Sequence, residues 1–180
     1  VVPFLHSVEE SYFELAGAEG FVRPYAGGRY VFAGLLPAEG TTPEKLLQAL
    51  DGEALLNALG EPQTEEVHVA IPKLIAATDR MQLKEPLRAM GMELAFTDAA
   101  DFSRLAEKPL KIDSVQHKVW LQLDEQGTQA AAVTSTLMAP TAAADMEEPK
   151  TIALTRPFLF VIFDHETQSI VFLGIVNQIS

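Results

Sequence analysis

The fold is decided by the stretch Glu125-Gln126-Gly127-Thr128-Gln129-Ala130-Ala131-Ala132, which opens a segment without a charged residue from Gln126 to Ala144. By composition alone, such a segment is a flexible Ala/Thr linker. At every second position, however, it carries small, uncharged side chains: Thr128, Ala130, Ala132, Thr134, Thr136 and Met138. A sheet can bury a face of that kind without burying an unpaired charge, so the segment is also compatible with a β-strand.

Downstream of this segment, two nearly all-apolar runs, Phe158 to Phe163 and Ile170 to Val176, surround the polar residues Asp164 to Ser169. This pattern predicts a buried β-hairpin. The residue types of Asp164-His165-Glu166 are those of a catalytic group. This triplet lies in the predicted turn, however, and polar residues are common in turns without any catalytic role.

Upstream, Ile112 to Asp124 alternates apolar and polar residues, which predicts one long strand. The alternation places His117 on the apolar face of that strand. We interpret it as a core histidine whose ring nitrogens are satisfied by neighbours. A metal site would need at least two partner ligands, and the sequence does not supply them.

The remaining patterns predict short antiparallel strands and short helices. Glycine-punctuated strands come first, two short helices follow a Thr42 N-cap, and a strand and a third helix come next. The predicted ranges are Ser11 to Leu15, Gly20 to Tyr25, Arg29 to Leu36, a strand from Glu66 to Ile71, and a helix from Leu83 to Met90 that Gly91 ends.

Composition excludes several classes of function. The 180 residues suffice for one domain, and the net charge of -12 argues against nucleic acid or an anionic membrane surface as a partner. The absence of cysteine excludes disulfide scaffolds and thiolate zinc sites. The four histidines lack ligand spacing, and no nucleophile elbow or phosphate loop occurs. We therefore expect no catalytic residues, no metal and no cofactor.

Beyond these patterns, the stretch from Glu125 to Ala132 resembles the hinge of the serpin family of serine protease inhibitors. Arg156-Pro157-Phe158-Leu159-Phe160, followed by Phe172-Leu173-Gly174, is similar to the closing signature of the same family. Gln126 and Thr155 depart mildly from the usual residues. Supporting matches cover nearly the whole chain: Val2-Pro3-Phe4, Leu36-Pro37-Ala38-Glu39-Gly40, Ile71-Pro72-Lys73-Leu74, Met90-Gly91-Met92, Ala100-Asp101-Phe102-Ser103 and Val115-Gln116-His117-Lys118.

The resemblance begins about halfway along a complete serpin. It therefore implies that residues 1–180 are the carboxy-terminal part of a single serpin domain, with the amino-terminal half outside this chain. The implied fold is α+β, with mostly antiparallel sheets, short helices and a long exposed reactive loop at about residues 126–150.

The resemblance also implies a mechanism without a catalytic group in the inhibitor. The protease cleaves the exposed loop to an acyl-enzyme, and the loop then inserts as a new strand and carries the protease with it. In the hinge, Gly127 supplies the bend and Thr128 enters the sheet first. The small residues Ala130, Ala131 and Ala132 follow without steric cost. Lys73 and Glu125 match an ion pair at the top of the sheet, and His117 matches a buried histidine that latches the strands.

The function implied is a suicide-substrate inhibitor of serine proteases, and not an enzyme. Counting forward from Glu125 places the scissile bond at Thr141-Ala142, whereas counting back from Pro157 places it near Met146-Glu147. We favour the first, because the inserted strand must have a fixed length. Small residues around that bond, and the absence of Lys and Arg between Glu125 and Lys150, favour elastase- or subtilisin-like targets.

Two alternatives stay open at this point. One is a non-inhibitory serpin that acts as a carrier or chaperone, and the other is a β-rich binding module with a disordered loop. The expected partners are a serine protease and the amino-terminal half of the same protein, without nucleic acid or membrane. A secreted or extracellular location is expected.

Overall fold

The first strands form an antiparallel meander with glycine at its turns. The computed structural model describes residues 2–78, 80–124 and 149–179, apart from the side chain of Ala76. Strands β1 (Phe4–Leu15), β2 (Ala18–Pro24) and β3 (Tyr30–Pro37) pair in order. Gly27 and Gly28 lie in the turn between β2 and β3 at φ of 89° and 73°. Because this left-handed backbone favours glycine, the predicted turn is confirmed.

These strands belong to a seven-stranded sheet. The strands that complete it are β4 (Gln63–Pro72), β9 (Lys150–Ala153), β10 (Phe158–Asp164) and β11 (Ser169–Val176). The order of the strands is β11-β10-β3-β2-β1-β4-β9. All neighbouring pairs are antiparallel except β4 and β9, which run parallel.

Two helices cover one face of this sheet. Helices α1 (Pro43–Ala49) and α2 (Gly52–Gly60) begin at Thr42 and Asp51, whose side chains accept hydrogen bonds from backbone N–H groups three residues on. Their buried leucines pack with inward-facing side chains of β1, β2, β3 and β10. The principal members of this core are Phe13, Val22, Val31, Leu35, Leu46, Leu55, Leu59, Leu159, Val161 and Phe163.

Residues Ile75–Leu121 form a second compact unit, separate from the unit of Val1–Leu74 and Gln122–Ser180. It contains β6 (Met81–Gln82) paired with β7 (Gln116–His117), and helix α3 (Lys84–Ala89), after which Gly91 adopts a φ of 95°. Strands β5 (Leu74–Ala77) and β8 (Trp120–Leu123), each with an end outside this unit, form another two-stranded sheet. The α+β class is confirmed by this arrangement.

The structure corrects the predictions of two strand regions. The long strand expected from Ile112 to Asp124 is two short strands, because its neighbours among the described residues are the short strands β5 and β6. The closing hairpin is buried in β10 but not in β11, where Val171, Phe172 and Leu173 are 38–48% exposed. Strand β11 lies at the edge of the sheet, so its outer edge lacks a strand neighbour among the described residues.

Candidate functional site

The predicted reactive loop joins β8 to β9, and the structure describes its two flanks. The predicted residues that lie outside the described part of the chain are Glu125, Gly127, Thr128, Ala130, Ala131, Ala132, Thr141, Ala142, Met146 and Glu147. Their roles in the hinge and at the scissile bond stay predictions. The site can therefore be built from the strands that hold the loop at either end.

The amino-terminal flank is strand β8, which has one buried and one exposed face. Leu123 is 5% exposed and Trp120 is 61% exposed. Immediately before the loop, the Gln122 amide donates a hydrogen bond to the carboxylate of Asp124. In the described part of the chain, β8 has one strand neighbour, β5. Its other edge has backbone groups with which a further strand could pair.

His117 does not occupy the buried position that alternation predicts. It lies exposed in β7, opposite Met81 of β6. The pattern of alternation identifies a face, but burial requires a layer on that face, and the described residues supply only a two-stranded sheet here. The prediction of a buried histidine is wrong for this structure. A role for His117 as a latch stays a prediction.

Lys73 lies between β4 and β5, directly after Pro72. Its backbone N–H donates to the carbonyl of Pro3 at 2.9 Å, which fixes the main chain at this corner, and its side chain is half-buried. Its predicted ion-pair partner, Glu125, lies outside the described residues. The ion pair therefore stays a prediction.

The carboxy-terminal flank is strand β9, which begins with Lys150. The Lys150 ammonium donates to Glu65 Oε2 at 3.1 Å, lies 3.8 Å from Glu14 Oε1, and sits 3.7 Å from the centre of the Tyr12 ring. The Tyr12 hydroxyl donates to Glu14 Oε1 at 2.6 Å. Burial, that hydrogen bond and the neighbouring carboxylates raise the pKa of Tyr12, so its hydroxyl stays protonated as a donor. We call these four residues the Lys150 cluster.

Sequence reasoning missed the Lys150 cluster and used Lys150 only to mark the end of a segment without basic residues. Its four members come from β1, β4 and β9. Strand alternation could have placed Tyr12 in the core, but the pairing of β4 with β9 spans more than eighty residues and leaves no local signal.

The signature residues of the closing hairpin act through packing. Phe160 pairs with Gly174 of β11 on one side and with Gly34 of β3 on the other. A Cβ atom on Gly174 would lie 2.4 Å from the Phe160 ring, so the ring occupies the space that glycine leaves open. Phe160 also stacks on Phe32, with ring centres 6.2 Å apart. These residues stabilise the packing of the sheet and supply no reactive group.

Asp164, from the predicted Asp164-His165-Glu166 turn, is a structural carboxylate. Its Oδ2 accepts two hydrogen bonds from Arg29, at 2.8 and 3.1 Å, and its Oδ1 accepts from the backbone N–H groups of Glu166 and Thr167. The Arg29 guanidinium, with these N–H groups, lowers the pKa of Asp164 to about 2. The turn interpretation is confirmed: this triplet closes the hairpin from Phe158 to Val176.

Among residues 2–78, 80–124 and 149–179, no group of three or more His, Cys, Asp or Glu side chains is arranged to hold a metal ion. None of the helices in the same residues has the length and apolar character needed to cross a membrane.

The family follows from comparison with known proteins. The family model described as Serpin (serine protease inhibitor) matches residues 2–179. The chain belongs to the serpin family. Iripin-2 of Ixodes ricinus is 33% identical over 172 residues, which cover 96% of this chain and 43% of that protein. Alpha-1-antiproteinase S of Cavia porcellus is 36% identical over 141 residues, 78% of this chain and 33% of that protein.

Solved structures show the same relationship. The thermophilic serpin Tengpin in its native state superimposes with a TM-score of 0.80 at 36% identity, over 98% of this chain and 46% of that one. Tengpin in its latent state gives a TM-score of 0.78 at 29% identity, over 99% and 47%. The chain thus spans less than half the length of these relatives.

Proposed function

We propose that the full-length protein inhibits serine proteases as a suicide substrate and has no enzymatic activity of its own. The observation that carries this proposal is the uncharged segment from Gln126 to Ala144, placed between β8 and β9 in a chain of the serpin family. A strand that enters a sheet must bury one face without a charge, and this segment meets that requirement.

The chemical step belongs to the protease. Its serine Oγ attacks the carbonyl carbon of Thr141, and the Thr141–Ala142 peptide bond breaks. The Ala142 nitrogen receives the proton that the serine hydroxyl gives up and leaves as a new amino terminus, while Thr141 stays attached to the serine as an ester. Insertion of the loop from Thr128 onward then carries the protease away before water hydrolyses that ester.

The target class follows from the residues around this bond. Pro140, Thr141, Ala142 and Ala143 are small, which suits the shallow pockets of elastase- or subtilisin-like proteases. Trypsin-like proteases require a cation, and no Lys or Arg lies between Glu125 and Lys150. The alternative bond, Met146–Glu147, would present an acidic residue directly after the cut.

The proposed switches lie near the amino-terminal flank of the loop. Lys73 and Glu125 would form an ion pair where insertion begins, and His117 would latch the strands further along. In this proposal His117 becomes buried only when the amino-terminal half of the protein covers it. Ile75 and Trp120, which are 66% and 61% exposed, are further apolar surface that such a neighbour would cover.

We also propose the partners and the location of the protein. Residues 1–180 form the carboxy-terminal part of one serpin domain, and their partners are the amino-terminal half and the target protease. We place the protein outside the cell, where extracellular serine proteases act.

The experiment that tests the function uses the full-length protein with elastase, subtilisin and trypsin, analysed on denaturing gels. We expect a complex that survives denaturation with the first two proteases and none with trypsin. Mass spectrometry should identify a released peptide that begins at Ala142. A protease whose serine is chemically blocked is the control and should form no complex.

Cleavage without a stable complex would indicate a substrate or a non-inhibitory serpin and would contradict the proposal. A released peptide that begins at Glu147 would overturn the Thr141–Ala142 bond, and tight inhibition of trypsin would overturn the specificity.

A further inference from the structure

Strand β9 is held in the sheet from one side only. It is an edge strand of four residues, and its sole strand neighbour among the described residues is β4, with which it pairs in parallel from Val67–Lys150 to Ala70–Ala153. Such a short ladder supplies few backbone hydrogen bonds. Side-chain contacts must therefore contribute much of what retains β9.

These contacts differ between the two ends of the strand. At its carboxy-terminal end, Ile152 is 1% exposed, and Leu154, directly after the strand, is 0% exposed. At the loop end, the contacts are those of Lys150 with the Tyr12 ring, Glu65 and Glu14. A cation held against an aromatic face and hydrogen-bonded to a carboxylate is stabilised more than a single exposed ion pair. A force applied through the loop reaches Lys150 before it reaches the apolar residues.

The direction of that force depends on whether the loop is cut. In the proposed mechanism, the amino-terminal arm of the loop extends along a sheet. While the loop is uncut, that extension pulls on β9, because both ends of the loop are attached. After cleavage the two arms are separate, and extension of the amino-terminal arm no longer pulls on Lys150.

We propose that Lys150 is a positioning residue that retains β9 in the sheet while the loop is uncut, and thereby keeps the loop available to the protease. This inference rests on the proposed inhibitory function. It assigns the Lys150 cluster a role in opposing insertion before cleavage, and no role in insertion after cleavage.

The test compares four variants of the full-length protein with the wild type. Lys150→Met keeps the length of the side chain and removes its charge, whereas Lys150→Arg keeps both a cation and the ring contact. Glu65→Gln removes one anionic partner and leaves the Tyr12 contact in place. Lys111→Met is the matched control, because Lys111 forms an exposed ion pair with Asp98 at 2.7 Å in the other unit.

Each protein is incubated at a temperature below its melting transition, and its residual capacity to form the covalent complex is followed with time. Mass spectrometry verifies that the chain stays uncut. We expect Lys150→Met to lose this capacity roughly tenfold faster than the wild type, and Glu65→Gln to lose it faster by a smaller factor. Lys150→Arg and Lys111→Met should behave as the wild type.

A second readout separates this role from a general loss of stability. The increase in melting temperature on cleavage of the loop should be the same in Lys150→Met as in the wild type, because the cleaved loop does not pull on β9. If Lys150→Met does not fold, Glu65→Gln carries the same comparison.

Equal rates of loss in Lys150→Met, Glu65→Gln and the wild type would overturn the role of Lys150 and leave the inhibitory function intact. The absence of a covalent complex with the wild type at zero time would instead overturn the proposed function itself.

Discussion

The two strands that flank the loop differ in how they are held. Strand β9 joins a seven-stranded sheet, starts with the Lys150 cluster and buries Ile152, and Leu154 is buried directly after it. Strand β8 belongs to a two-stranded sheet and leaves Trp120 61% exposed. The carboxy-terminal flank has the contacts of a strand that stays in place. The amino-terminal flank, in the described part of the chain, has an edge at which a strand can be added.

This difference between the flanks predicts that a charge introduced on the amino-terminal side of the loop has the largest effect. Thr128→Arg in the full-length protein should convert the inhibitor into a substrate, because insertion would bury a guanidinium without a partner. The measurement is the fraction of protease trapped in covalent complex against the fraction of inhibitor merely cleaved.

The matched control for that variant is Thr167→Arg, which adds the same charge in the exposed turn between β10 and β11. It should trap protease as the wild type does. An unchanged trapping ratio in Thr128→Arg would show that the loop does not insert from this hinge.

A smaller effect is expected in the sheet that holds the carboxy-terminal flank. Gly174→Ala would place a methyl group 2.4 Å from the Phe160 ring, so the ring or the edge strand must move. Overpacking of this kind costs about 1–3 kcal/mol of the free energy of unfolding, measured by urea denaturation.

The control for this variant is Gly52→Ala, at the start of α2, where an added Cβ meets no atom within 4 Å. It should cost nothing. Equal stability of the two variants would contradict the close packing of Phe160 on Gly174.

The smallest effect is a dependence of stability on pH in the same sheet. The pKa of Asp164 is lowered from its ordinary value of 3.8 to about 2. Between these values the folded state binds fewer protons than the unfolded state, so the stabilisation by Asp164 is present above pH 3.8 and is lost as the pH falls through 2. Melting temperatures of Asp164→Asn should therefore fall less steeply over this range than those of the wild type.

Glu166→Gln is the control for this measurement, because Glu166 contacts the same arginine at 3.2 Å but is 66% exposed. The melting temperature of Glu166→Gln should depend on pH nearly as strongly as that of the wild type. Identical pH profiles for Asp164→Asn and the wild type would contradict the role of Asp164 in the turn.

Local patterns in the sequence predicted those parts of the structure that local physics determines. The Gly27-Gly28 pair marked the turn between β2 and β3, Thr42 marked the start of α1, and the polar residues from Asp164 marked a hairpin turn. The sequence could not show which faces are covered. His117 alternates as a buried residue and lies exposed, since burial depends on neighbours distant in the chain.

The candidate site, like the fold, was predicted only in part. Composition drew attention to the uncharged segment, and resemblance assigned its roles. Neither composition nor resemblance indicated the Lys150 cluster, because Tyr12, Glu65 and Lys150 come together only when β1, β4 and β9 are aligned in one sheet.

The central claim is that the cleaved loop becomes a strand of the sheet, and thermal unfolding before and after cleavage tests it most directly. The full-length protein is cut in the loop, the cut is verified by mass spectrometry, and both forms are melted. We predict a sharp increase in melting temperature on cleavage, because the inserted loop adds the hydrogen bonds and the buried surface of a further strand to the sheet. An unchanged melting curve after verified cleavage would contradict insertion.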